Sequence, residues 1–183
     1  MNRLQHRIIL GFILSLISLI ALHPLAENQY SPTADEGYYY QYANIISREG
    51  PAAFAPLIIW HANDDEGRKY PTPGRVGYIL PTALIFKIFG PSFSALGSFS
   101  FLCFLLFLAI SFHFCRKHFD FDTAILLVLL LSSSPLILGM SRRALSDSML
   151  NLMWGLTAWL FLDFLKNPQK MKYPDSTLKC NTG

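Results

Sequence analysis

Apolar residues run along this chain in blocks rather than in stripes. Ile8–Ala26, Ser92–Cys115, Thr123–Met140 and Ser148–Leu165 are each almost free of charge. A soluble domain repeats its apolar positions every three or four residues on a helix, or every second residue on a strand. Unbroken blocks of about 20 residues match instead the ~30 Å hydrocarbon core of a bilayer. Water is absent there, so each block must satisfy its own backbone groups as a helix. The pattern predicts an all-α integral membrane protein with about four transmembrane helices near residues 8–26, 92–115, 123–140 and 148–165. MNRLQHR and the small Ala26 give the first block some look of a cleaved signal, but its length and the three later blocks favour a retained anchor.

Between the first two blocks, residues 27–91 are predicted to lie outside the membrane. Asp35–Glu49 sets Tyr38, Tyr42, Ile45, Ile46 and Glu49 near helical spacing, and Gly50-Pro51 supplies a stop. HANDDEGRKYPTPG reads as a polar loop. Arg75–Phe89, interrupted by Pro81 and Lys87, is too short to span with ease and is expected to lie along the interface as an amphipathic helix, with Trp60 and Tyr78 as headgroup-level anchors. Residues 166–183 form a polar tail with no apolar period and are expected to be unpacked.

Composition agrees: 52% of the 183 residues are hydrophobic and 15% charged. A net charge of +3, with no basic stripe interleaved with aromatics, argues against a nucleic-acid partner. Where the charges fall is more informative. Arg3 and Arg7, Arg116 and Lys117, and Lys166, Lys170 and Lys172 share one side if four helices alternate, which puts both termini in the cytoplasm of a multi-pass inner or plasma membrane protein. Arg142 and Arg143 then fall on the outside, against that rule. The three cysteines, Cys103, Cys115 and Cys180, are scattered and build neither a disulfide framework nor a metal spacing.

Candidate chemistry sits at the outer ends of the blocks. Thr33-Ala34-Asp35-Glu36 fits a capping box in which Glu36 reaches back to the Thr33 N–H. Asp35 is not needed for that box; held ionised at a helix N-terminus, it is a suitable general base for a hydroxyl or amine. In SRRALSD, Arg143 and Asp147 are four apart and can pair, leaving Arg142 over. These arginines either snorkel to the surface or form a phosphate clamp that Arg75 could join. Asp64, Asp65 and Glu66 carry oxygens that suit a divalent cation, although a solvated acidic loop is the commoner meaning of such a run.

Taken together, DEGYYYQYANII, RVGYILPTALIFKIFGPSFSALGSFS, CRKHF and SSSPLILGMSRRALSDSMLNLMW resemble, in order and spacing, the N-terminal part of a GT-C glycosyltransferase of the protein-mannosyltransferase, aminoarabinose-transferase and RgtA-like branch. The resemblance covers roughly residues 7–165, with 166–183 outside it. It implies an inverting transfer of a sugar from a polyprenyl-phosphate donor to an external acceptor (a glycan, lipid or protein). Asp35 then stands at the position of the base, with Glu36 beside it. Arg142 and Arg143 lie in the segment that assists the lipid phosphate, and Arg75, Asp147 and Tyr38 complete the expected substrate-binding set. PTPGRVGY replaces the His-Pro-Pro segment of many relatives. Members of that branch also carry more spans, so the chain reads as a truncated or partial copy, expected to be inactive by itself. The alternative is a non-catalytic four-span protein that binds lipid or a partner.

Overall fold

The computed structural model describes residues 35–143 and 146–166, without the side chain of Arg142. The first predicted span, Thr33 of the capping box and the polar tail lie outside the described residues. Every regular element among those described is helical. They are α1 (Asp35–Glu49), α2 (Phe54–Asn63), α3 (Val76–Phe89), α4 (Phe93–His118), α5 (Phe121–Ser133), α6 (Pro135–Arg142) and α7 (Asp147–Lys166). Short 3₁₀ turns occupy Pro51–Ala53 and Gly67–Lys69.

The helices end where the sequence provides a reason. Gly50 takes φ 85°, a conformation open to glycine at little cost, and its N–H bonds the Ile46 carbonyl at 2.9 Å, closing α1. Ser92 caps α4 by accepting from the Ala95 N–H at 3.1 Å. Asp120 caps α5 by accepting from the Thr123 N–H and hydroxyl, both at 2.8 Å, and those bonds hold its carboxyl below the ordinary range.

Two helices, α4 and α7, are long and apolar enough to cross a membrane. At ~1.5 Å per residue α4 extends about 39 Å. The block expected as a straight span over 123–140 is instead two helices bent by 68° at Ser134. The cause is local: Pro135 disfavours helical backbone at the residue before it, and Ser134 takes ψ 118°. Together α5 and α6 form at most one broken span, so the described residues hold two or three crossings.

One apolar core joins α1, α3 and the start of α4 through Tyr39, Tyr42, Ile46, Tyr78, Ile79 and Leu96. A second lies between α4 and α5 around Phe104, Leu108 and Val128. Helices α4 and α7 approach closely at Gly155, where an added Cβ would lie 2.6 Å from the Phe107 ring. Arg75–Phe89 is helical as expected but is not amphipathic. Its inner face buries Tyr78, Ile79, Thr82, Ala83 and Phe86, while Leu80, Leu84, Ile88 and Phe89 stand exposed on the other. An apolar outer face suits lipid rather than water. Tyr78 is no headgroup anchor: it is 1% exposed and its hydroxyl meets Ser100 Oγ at 3.0 Å. Trp60 is exposed on α2, a helix that the sequence reading did not foresee and that buries none of its residues.

Candidate active site

Charged residues gather at the two ends of the helical bundle, and one of these clusters joins segments 107 positions apart near a cavity. It begins at the first turn of α1. Asp35 is exposed, whereas Glu36, next in the chain, is 2% exposed. A buried carboxylate must be paired. Glu36 Oε1 accepts from Arg143 Nε at 2.7 Å, across 107 positions of sequence. Arg143 can reach it because α6 ends at Arg142 and Arg143 turns extended, at φ −91° and ψ 152°. The same turn overturns the expected Arg143–Asp147 pairing, since the two residues do not share a helix.

Arg75 precedes the first turn of α3. Its guanidinium lies over the Tyr39 ring, 5.4 Å from the centroid, and donates to the Tyr39 hydroxyl and to Ser146 Oγ, the latter at 2.6 Å. Tyr39 is fully buried and meets Tyr78 edge-on at 5.3 Å. Burial pushes its phenol above the usual value, against the opposing pull of Ser146 and Arg75. The site thus ties α1, α3 and the segment before α7 together through Tyr39, Arg75 and Ser146. Tyr39 and Ser146 were not among the expected site residues. Tyr39 was legible, because it lies one helical turn beyond Asp35 on the same face.

Asp147 opens α7 and lines a cavity of about 320 Å3 with Arg75, Tyr78, Ser146 and Met149. Asp35, Glu36 and Arg143 do not line it. Tyr38 is half-buried and stacks on Tyr70 with centroids 4.2 Å apart; burial and the Tyr70 hydroxyl push its phenol up to about 12. Its ring faces the loop that carries Tyr70. The Arg142 side chain lies outside the described residues. Asp65 and Glu66 are ion-paired with Arg68 and Lys69, while Asp64 accepts from the Glu66 N–H, so the acidic loop is internally engaged. Among the described residues no three His, Cys, Asp or Glu side chains gather to hold a metal ion.

The opposite end differs. There Lys117 and Asp163 pair at 2.5 Å, and the His118 imidazole, 6% exposed, lies 3.5 Å from the same carboxylate. Phe114 stacks on Trp159 beside them.

A family profile matches residues 76–174, more than half of the chain: that of the dolichyl-phosphate-mannose-protein mannosyltransferases. The matched stretch contains Arg142, Arg143 and Asp147 but neither Arg75 nor the acidic pair. No characterised protein and no solved structure gives a significant match.

Proposed function

The chain belongs to the dolichyl-phosphate-mannose-protein mannosyltransferase family, membrane glycosyltransferases that draw on a polyprenyl-phosphate-linked sugar, and from that premise we propose that the Asp35 end is a transfer site facing the outside of the membrane. The observation that carries the reading is the division of labour between two adjacent acids. Glu36 is buried on Arg143, while Asp35 makes no ion pair or hydrogen bond among the described residues and stands at a helix N-terminus. A free carboxylate beside a fixed guanidinium is what a base and a leaving-group stabiliser require.

In this proposal Asp35 takes the proton of an acceptor hydroxyl or amine. The acceptor atom attacks the anomeric carbon from the face opposite the phosphate, the bond from that carbon to the phosphate oxygen breaks, and the configuration inverts. The polyprenyl phosphate leaves with the bonding pair. Its charge is met by guanidinium groups, which form charge-assisted and often paired bonds with phosphate oxygens. Arg143 is held in place by Glu36, Arg75 by Tyr39 and Ser146, and Arg142 adds to the set. Asp147 borders the cavity where part of the substrate would sit, and Tyr38 with Tyr70 forms an aromatic wall for an acceptor.

The test is transfer of sugar from a polyprenyl phosphate in membranes carrying the 183-residue chain and, in parallel, the chain joined to the C-terminal spans of a family member. Transfer with inversion in either preparation, reduced ~10²-fold or more by Asp35→Asn, is the expected result. Absence of transfer in both, or equal rates for Asp35→Asn and the parent, would overturn the reading.

A further inference from the structure

A second concavity, of about 650 Å3, lies between the C-terminal half of α1 and the outer face of α3. Sites for small ligands occupy roughly 300–1,000 Å3. Its lining divides by chemistry. Leu80 and Leu84, 41% and 59% exposed, give it an apolar stretch continuous with the lipid-suited face of α3. Arg48, Glu49 and Lys87 give it a charged end. Leu80 precedes Lys87 by two helical turns, about 10 Å along the axis at ~1.5 Å per residue. The groove is therefore amphipathic along its length.

None of the three charged side chains makes an ion pair among the described residues. The helix dipole accounts for the two cations, because Arg48 and Lys87 each stand in the last turn of a helix. It does not account for Glu49. A carboxylate at a helix C-terminus is disfavoured by the same dipole, and among the described residues no cation pairs with this one. Glu49 is exposed, and beside an apolar face an amphipathic molecule could supply the counter-charge that it otherwise takes from water.

We propose that this groove holds a phospholipid whose headgroup joins a phosphate diester to a primary ammonium. The phosphate lies between Arg48 and Lys87, the ammonium donates to Glu49, and an acyl chain follows Leu84 and Leu80. Two cations and one anion complement a headgroup of one anion and one cation better than a purely anionic one, which would leave Glu49 facing a phosphate. A quaternary ammonium would also fail, having no N–H to donate. The inference is independent of sugar transfer at Asp35.

The experiment reconstitutes the full chain in nanodiscs containing equal parts of phosphatidylethanolamine, phosphatidylglycerol and phosphatidylcholine with identical acyl chains. Native mass spectrometry then reads the lipids retained. Several-fold preferential retention of phosphatidylethanolamine is expected. Glu49→Gln should erase its advantage over phosphatidylglycerol, and Lys87→Gln should lower retention of every phospholipid. All three side chains are exposed, so these variants keep the fold; Arg48→Gln is an independent second removal of a phosphate contact. Equal retention of the three lipids by the parent, preference for phosphatidylglycerol, or retention by Glu49→Gln and Lys87→Gln identical to the parent would each overturn the proposal.

Discussion

The two ends of the bundle both gather opposite charges, and they use them differently. At one end Lys117, on α4, and Asp163, on α7, bind each other directly and His118 closes over the same carboxylate. That cluster ties the C-terminal ends of two long apolar helices to each other. At the other end Glu36 and Arg143 are joined from either side of two helices, Arg75 bridges Tyr39 and Ser146, a cavity opens beside them, and Asp35 is left out of the pairing. A cluster that only fastens helices has no need of a surplus acid. In the proposed function, an acid that is uncommitted among the described residues is the feature that separates a site from a clasp.

The largest expected effect concerns which side each end faces. Reporter fusions at Asp64 and at Lys117 should give opposite, all-or-none signals, with Asp64 outside; matching signals would remove the external placement of the site. Next in size is Arg143→Met, which leaves the Glu36 carboxylate buried without its guanidinium. Arg143 is 55% exposed, so the cost is set by the buried acceptor, which loses its charge-assisted bond, about 2 kcal/mol. Thermal unfolding in detergent should show that loss, and Glu36→Gln/Arg143→Met together should be less damaging than the sum of the two single changes. A strictly additive pair would mean that the contact is incidental. Glu36→Gln alone should also be costly, because an amide replaces a buried carboxylate that receives a charged donor.

The acid pair shows how far sequence reasoning reached. The helix over Asp35–Glu49, its glycine stop and the separation of Asp35 from Glu36 were all written in local spacing, which is where capping, period and turn chemistry act. The partner of Glu36 was not. It lies 107 positions away, and reaching it depends on the break before Pro135 and the extended Arg143, both tertiary matters that an apolar block conceals. Ser132–Ser134 before Pro135 was the available signal for that break. The buried face of α1 also turned out to run through Tyr39, Tyr42 and Ile46 rather than through Tyr38. Three consecutive tyrosines leave the phase of a helix undecided until something packs on it.

Smaller effects sharpen the contrast. Asp163→Asn should lower stability by about 0.5–1 kcal/mol, the usual size for a partly exposed pair. Smallest is Tyr38→Phe. The Tyr38 phenol, at about 12 against an ordinary 10.0, binds its proton more tightly folded than unfolded. Its contribution is therefore complete below pH 10 and fades as the pH rises toward 12. Ultraviolet titration of the tyrosines should lose a late-ionising phenol in the variant, and an unchanged curve would dissociate Tyr38 from the Tyr70 stack.

The central claim, that one end of the molecule performs chemistry and the other holds helices together, is tested most directly by comparing Asp35→Asn with Asp163→Asn. Sugar transfer per folded molecule is measured beside thermal unfolding, in the chain joined to a family member's C-terminal spans. Asp35→Asn should lower transfer ~10²-fold or more with unfolding unchanged, and Asp163→Asn should lower the unfolding temperature with transfer per folded molecule intact. Loss of transfer in Asp163→Asn, or full transfer in Asp35→Asn, would contradict that division.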